Sequence, residues 1–289
     1  MDALVGRTAV VTGGASGMGL AFARRFGQAG MRVVCGDVEA AALDTAVAEL
    51  RGEGIEATGV VTDVSSGAAM EALLAASLAA YDRVNVVCLN AGVGGGSGRS
   101  WTLTEADWAW TLNVNLWGVI HGVRVFVPHL VEHGDGHVVT TASIAGHVSG
   151  PYLAPYHVTK HGVVTLSEAL YHELKRDGSG VGVTCLCPGF VATNIIDSER
   201  NRPAELRNPP REPSAEGGRD RSRAAGDFAR QALASGKAPA EVAELVHDAV
   251  LSGQFYLFTD DAWDAPIAAR HRAIEERAAP SLTRPGSAG

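Results

Sequence analysis

Short apolar runs alternate with stretches of helical periodicity from residue 7 to about 190. That order is expected of repeated strand-helix-strand units whose parallel sheet is covered on both faces. The pattern predicts strands at 7–12, 31–37, 56–61, 84–89, 136–142 and 181–187, and helices at 17–29, 39–52, 67–81, 105–132 and 155–177. Pro155 suits the start of the last of these, because its missing N–H would have no helical partner there anyway. Beyond Gly189 the pattern changes. Between Glu199 and Arg230 there are eight arginines, six acids and four prolines with little apolar periodicity, so this segment is expected to be mobile or partly disordered. Its charges nearly cancel, which describes a solvated cover rather than a nucleic-acid patch. An amphipathic helix at 240–251, a short strand at 255–258 and a helix at 263–278 follow, and a polar tail with Pro280 and Pro285 ends the chain. No repeat of solenoid period is present. The fold class expected is α/β, a doubly wound parallel sheet in one domain.

Length and charge narrow the function. A chain of 289 residues suits one α/β core plus a tail. Its formal charge of −8 argues against nucleic-acid or anionic-membrane binding, which needs a basic face. A small-molecule ligand fits better. No apolar run approaches the roughly 20 residues that span a bilayer, and Met1 leads directly into strand-like sequence, so a cytoplasmic location is expected. Cys35, Cys88, Cys185 and Cys187 lie in strand-like runs, and Cys185-Leu186-Cys187 has neither zinc nor thioredoxin spacing. They read as buried free thiols, and no metal site is expected.

Two constellations carry chemistry. The first is the turn Thr12-Gly13-Gly14-Ala15-Ser16-Gly17-Met18-Gly19 between the first strand and first helix. Glycine there lets a backbone approach a pyrophosphate while the helix start offers N–H groups; the same glycines could also serve a plain tight corner. Asp37 ends the second strand, where a carboxylate can bind the ribose hydroxyls of an adenosine and repel a 2′-phosphate. No Arg or Lys follows closely, which favours NAD over NADP, although Asp37 could instead cap the next helix. Asp63 closes the third strand and reads equally as a helix cap or an adenine contact. The second constellation is Tyr156 and Lys160, four residues apart on one helix face, with Ser143 thirteen residues upstream of the tyrosine. The chain has only three lysines, which makes this pairing less probable by accident.

These motifs, with Asp63-Val64, Asn90-Ala91-Gly92, Asn115 before Leu116-Trp117-Gly118, and Pro188-Gly189 with Thr193, resemble the short-chain dehydrogenase/reductase family of about 250 residues, over residues 5 to about 195. The resemblance implies a Rossmann-type fold and an NAD-dependent enzyme acting on CH–OH groups. It implies Tyr156 as general base in alcohol oxidation and general acid in ketone reduction, its phenol acidified by Lys160 and the pyridinium. Ser143 would hold the substrate oxygen, Lys160 the nicotinamide ribose, and Asn115 a proton relay through a helix distortion, in preference to Asn113. Gly13, Ser16, Gly17, Met18, Gly19, Asp37, Asp63, Val64, Asn90, Ala91, Gly92, Tyr156 and Lys160 are the cofactor residues so implied, with Pro188, Gly189, Val191 and Thr193 at the carboxamide end. Leu89 departs from the family's frequent asparagine, touching structure more than chemistry.

The family's substrate sits between the loop after the fourth strand, the residues after the serine and the segment after the last long strand. Gly94, Ile144, Tyr152, Leu153 and Phe190 are the substrate candidates here, and their apolar character suggests a hydrophobic secondary alcohol or ketone, with steroid- or terpenoid-like rings among the candidates. Trp101, Trp108, Trp110 and Trp117 read as core or interface aromatics. The expected organisation is an oxidoreductase domain over 1–262, with a substrate lid about 190–238, and a C-terminal extension over 263–289. A homotetramer or homodimer through the two long helices is implied by resemblance alone. The competing readings are a ketoreductase of biosynthetic intermediates and a catalytically silent NAD-binding regulator.

Overall fold

The structure, a computed structural model, describes residues 4–209, 227 and 230–282. Seven strands form one wholly parallel sheet: β1 Thr8–Thr12, β2 Arg32–Asp37, β3 Ala57–Val61, β4 Val86–Leu89, β5 Gly136–Thr141, β6 Val181–Cys187 and β7 Tyr256–Phe258. Their order is β3-β2-β1-β4-β5-β6-β7, so the winding reverses between β1 and β4, the place where an open α/β sheet forms a ligand crevice at its C-terminal strand ends. β1, β4 and β5 are buried along their whole length, which explains why they read as continuous apolar runs; β3 lies at the edge and alternates.

Helices α1 Gly17–Gln28 and α2 Ala40–Gly52 cover one face, joined by α7 Pro239–Ser252. Phe22, Phe26, Leu43, Leu50, Val242 and Val246 close that layer. Helices α3 Gly67–Tyr81, α4 Glu105–Leu112, α5 Gly118–Glu132 and α6 Ala154–Arg176 cover the other face. There Met70, Leu73, Phe126, Leu130, Val163 and Leu170 meet Val10, Val87 and Val138 of the sheet. Helix α8 spans Asp264–Glu275 and buries only Pro266.

The expected strands and most helices stand within two or three residues of their predicted ends. The exception is 105–132. This stretch is long and apolar enough, by composition alone, to cross a membrane. It is not one regular helix: a π-helical turn at Asn113–Trp117 separates α4 from α5, with the Gly118 N–H bonded to the Asn113 carbonyl. Such single turns of i→i+5 bonding are rare and concentrate at functional sites. No Gly or Pro interrupts 105–117, so periodicity alone carries no sign of the break. Asn115, on that turn, is fully buried.

The segment 199–230 lies partly outside the described residues. Its first part, to Pro209, is built into the fold through Arg202, which is buried and ion-paired with Asp107 of α4 at 2.9 Å. The expectation of a loosely held cover does not apply to these residues.

Candidate active site

The glycine turn is shaped by contacts that exclude side chains. Gly13 and Gly17 have φ of +67° and +54°, a region L-residues rarely adopt. A Cβ on Gly13 would sit 3.0 Å from Ala91 Cα, and one on Gly19 would collide with the Gly13 carbonyl. The turn therefore packs against Asn90-Ala91 after β4. Thr12, which opens the turn but has no separate role in the sequence reading, is the tie: its hydroxyl donates to the Cys88 carbonyl and accepts from the N–H groups of Asn90 and Ala91. Asn90 Nδ2 returns a bond to the Thr12 carbonyl and Asn90 Oδ1 accepts from the Thr141 hydroxyl of β5, joining three strand ends. Ser16, exposed at the N-cap of α1, makes no side-chain capping bond, so its hydroxyl faces the cleft beside Gly17 and Met18.

Asp37 is oriented by main chain: Oδ2 accepts from Ala15 N–H at 3.0 Å and Oδ1 from Glu39 N–H at 3.0 Å. It lines the cleft with Val38, Glu39 and Asp63. Asp63 also accepts from the Ser65 amide and hydroxyl, but the cap of α3 is Ser66, so Asp63 closes the preceding turn rather than capping the helix. Val64 packs against Gly118 of α5 and does not line the cleft. Gly13, Gly17, Asn90, Ala91 and Gly92 line it, as do Pro188, Gly189, Val191 and Thr193. Thr193 lies opposite Gly17, and the Gly189 N–H donates to Thr259.

At the reacting end, Ser143, Tyr156 and Lys160 share the cleft wall. The Lys160 ammonium lies 5.6 Å from the Tyr156 ring centroid and donates to the Thr141 carbonyl at 2.7 Å. Burial pulls the Lys160 ammonium down to about 8. Burial likewise raises the Tyr156 phenol above its ordinary value, and a hydrogen bond with Ser143 opposes that rise. In the protein alone, therefore, desolvation is the larger influence on the phenol, whereas the sequence expectation joins Lys160 with the charge of a bound pyridinium. Asn115 lies beneath: its Oδ1 accepts from Val93 N–H and its Nδ2 donates to the Val93 carbonyl, fixing the loop after β4. A Cβ on Gly92 would lie 3.4 Å from Asn115 Oδ1 and 3.8 Å from Lys160 Nζ, so this glycine keeps open the space between the two side chains. Asn113, not Asn115, lines the cleft itself.

The substrate candidates fall around this cleft rather than along it. Gly94 donates its N–H to Ser198, and Ile144 is buried beneath the serine turn. Tyr152 adopts φ +73°, with its carbonyl held by Gly98, and Leu153 is exposed. Phe190 packs on Trp263, 6.1 Å between ring centres. The cleft's apolar end is instead lined by Val93, Trp110, Val114, Ile195, Leu206 and Leu233. Trp110 thus has a place in the site, although Trp101 and Trp117 are exposed as surface aromatics would be.

A strap from Asn194 to Asn208 roofs the cleft and is anchored by Arg202. Arg202 bonds Asp107 and Glu199, donates to the Leu206 carbonyl, and stacks 5.2 Å over the Trp110 ring. Asn208 adds a second bond to Asp107. Burial would raise the Asp107 carboxyl, but hydrogen bonds from Thr104, Asn208 and Arg202 outweigh it and hold it below its usual range. The spacing Thr104-x-x-Asp107 is a readable capping box, and both of its bonds form. Its second use as the anchor for Arg202 leaves no local signal.

Glycines packed too tightly for a side chain, a helix start facing a crevice, an oriented carboxylate and a tyrosine-lysine pair define a dinucleotide-dependent oxidoreductase, and the donor set fits a nicotinamide dinucleotide. The model of short chain dehydrogenases matches residues 7–204, and the chain belongs to the short-chain dehydrogenase/reductase family, whose members act on CH–OH groups. The chain is 35% identical over 268 residues to 1-deoxy-11-beta-hydroxypentalenate dehydrogenase of Streptomyces arenae, covering 91% of this chain and 85% of that one. A short-chain dehydrogenase/reductase from Burkholderia phymatum, solved in complex with NAD, superposes with a TM-score of 0.92 at 42% identity, covering 98% and 99% of the two chains. A variant of actinorhodin polyketide ketoreductase, solved with NADPH, superposes with a TM-score of 0.72 at 33% identity, covering 90% and 97%.

Proposed function

We propose that this enzyme prefers NAD(H) and interconverts a hydrophobic secondary alcohol and its ketone, with steroid- or terpenoid-like rings within its range. The observation that carries the cofactor preference is Asp37, whose two oxygens are fixed by Ala15 and Glu39 amides at the adenosine end of the cleft. A second carboxylate, Glu39, lines the same end. The Asp37 carboxylate would repel a 2′-phosphate there while its oxygens remain able to accept from ribose hydroxyls. Gly13, Ser16, Gly17 and Met18 would cradle the pyrophosphate, and Lys160 would hold the second ribose.

NAD, when bound, supplies the carbon that accepts hydride. In alcohol oxidation Tyr156 takes the hydroxyl proton at its phenolate oxygen, and Ser143 Oγ holds the substrate oxygen as its charge develops. Lys160 holds positive charge beside the Tyr156 ring, and Asn115 keeps the Val93 loop and the space above Gly92 in place for proton passage. Substrate hydrophobicity is supported by Trp110, Val114, Ile195 and Leu206, and by likeness to a relative named for a hydroxypentalenate. The four buried free thiols support a reducing cytoplasm, and the exposed Trp117 of the π turn and Val158 of α6 support a homo-oligomer through the α4–α5 and α6 faces.

The test is turnover of a panel of alcohols with NAD and with NADP. Ring-sized apolar secondary alcohols should be oxidised with NAD in preference to small charged sugars. Preference for the sugars, or equal use of the two cofactors, contradicts the reading.

A further inference from the structure

Arg200 and Asn201 reach from the strap across the mouth of the cleft to Glu39. Arg200 Nη2 and Asn201 Nδ2 each donate to Glu39 Oε1 at 2.7 Å, and Arg200 Nε approaches Oε2 at 3.4 Å. These three residues line the same end of the cleft as Asp37 and Val38. Only two cationic side chains among the described residues line the cleft, and the other, Lys160, is buried at the reacting end and bonded to Thr141. Among the described residues Arg200 is therefore the one lining cation available to a group at the adenosine end.

The pair is poised rather than locked. Arg200 and Glu39 keep 43% and 32% of their side chains exposed, so the ion pair is worth little on its own, and a competing anion could take the guanidinium. A phosphate is such an anion, because the Arg fork binds it through two parallel charge-assisted hydrogen bonds. The hydrogen bonds from Asn201 and Arg200 hold the Glu39 carboxyl below its usual range, so it stays charged at neutral pH.

We infer that Glu39 is a second determinant of cofactor selectivity, acting by a route separate from Asp37: it occupies Arg200 and Asn201, so that a 2′-phosphate gains neither donor without displacing it. This rests on the NAD preference proposed above. Asp37 faces the ribose directly, whereas Glu39 acts as a positioning residue for a cation supplied by a segment 161 residues away.

The experiment is equilibrium binding of NADH and NADPH, read by nicotinamide fluorescence, to the unaltered protein, Glu39→Ala, Arg200→Gln and the double variant, with thermal melting to confirm folding. Glu39→Ala should tighten NADPH relative to NADH by about tenfold, because a freed Arg fork gains a charged partner. In the double variant that gain should disappear. A gain that persists without Arg200 would mean simple removal of carboxylate repulsion and overturns the inference, as does no gain at all in Glu39→Ala. Should that variant melt early, Glu39→Gln, which drops the charge and keeps an acceptor, should show a smaller gain of the same sign; no gain there also overturns it. Tighter NADPH than NADH binding by the unaltered protein would instead overturn the NAD preference itself.

Discussion

The strand ends that floor the cleft are tied by main chain and by hydroxyls and amides, with Thr12 and Asn90 joining β1, β4 and β5 through part-buried hydrogen bonds. The strap above them hangs on side-chain ion pairs to Asp107 and Glu39, 95 and 161 residues away in sequence. A floor of this kind holds reacting groups in one geometry whatever the substrate. A roof pinned by a few charged side chains can change shape and partner with single substitutions. On the proposed function, the chemistry and Asp37 therefore lie on the floor, and the strap keeps the share of cofactor choice that runs through Glu39 and Arg200.

The largest effect should come from breaking the floor's chemistry without moving its frame. Tyr156→Phe removes only the phenolic oxygen, so turnover should fall by about 10³-fold or more while NADH still binds. Steady-state rates beside a fluorescence titration check both halves; loss of NADH binding would place Tyr156 in the frame instead.

Arg202→Ala should come next. It removes the guanidinium from the buried Asp107 carboxylate, which keeps its bonds from Thr104 and Asn208, at a cost of about 3 kcal/mol, and releases the strap from Trp110. Urea unfolding measures the first effect and the substrate KM the second, which should rise more than the Kd for NADH. Equal loss of both would mean that the strap and floor are not separable.

Acid should distinguish the two regions in another way. His137 of β5 is buried under the floor, bonded to Thr184, and desolvation pushes it down from the ordinary 6.5 to about 4. The native state then holds fewer protons than the unfolded one between these values, so stability falls as pH drops through the window, by up to about 3 kcal/mol. Unfolding midpoints between pH 7 and 4 should show that fall, and His137→Gln should flatten it.

The smallest effect expected is at the adenosine end. Asp37→Ala should reduce the preference for NADH over NADPH by about tenfold, the scale of one lost charge-assisted contact. An unchanged preference would leave discrimination to Glu39 and Arg200 alone.

What the sequence reveals divides along the same line. Period-2 and period-3.6 patterns, the glycine turn, and the Tyr156–Lys160 spacing are local signals, and the floor is assembled from them. The strap depends on Arg202 finding Asp107 and Arg200 finding Glu39, pairings between single charged residues that leave no period. Trp110, Val114 and Leu206 at the apolar end are contributed by a helix broken without Gly or Pro and by a segment with little apolar patterning, so substrate candidates chosen from neighbouring loops, such as Tyr152 and Leu153, missed the lining. The phenol's energetics were also hidden, because burial is a property of the folded site. That burial raises Tyr156, leaving the charges of Lys160 and the bound cofactor to bring the proton into working range.

This balance is tested most directly by the pH dependence of kcat/KM for oxidation of an apolar secondary alcohol with NAD, in the unaltered enzyme and in Lys160→Met. The account predicts one ionisation below which activity falls, displaced to higher pH when the ammonium is removed. An ionisation that stays where it was would contradict the role given to Lys160 beside Tyr156.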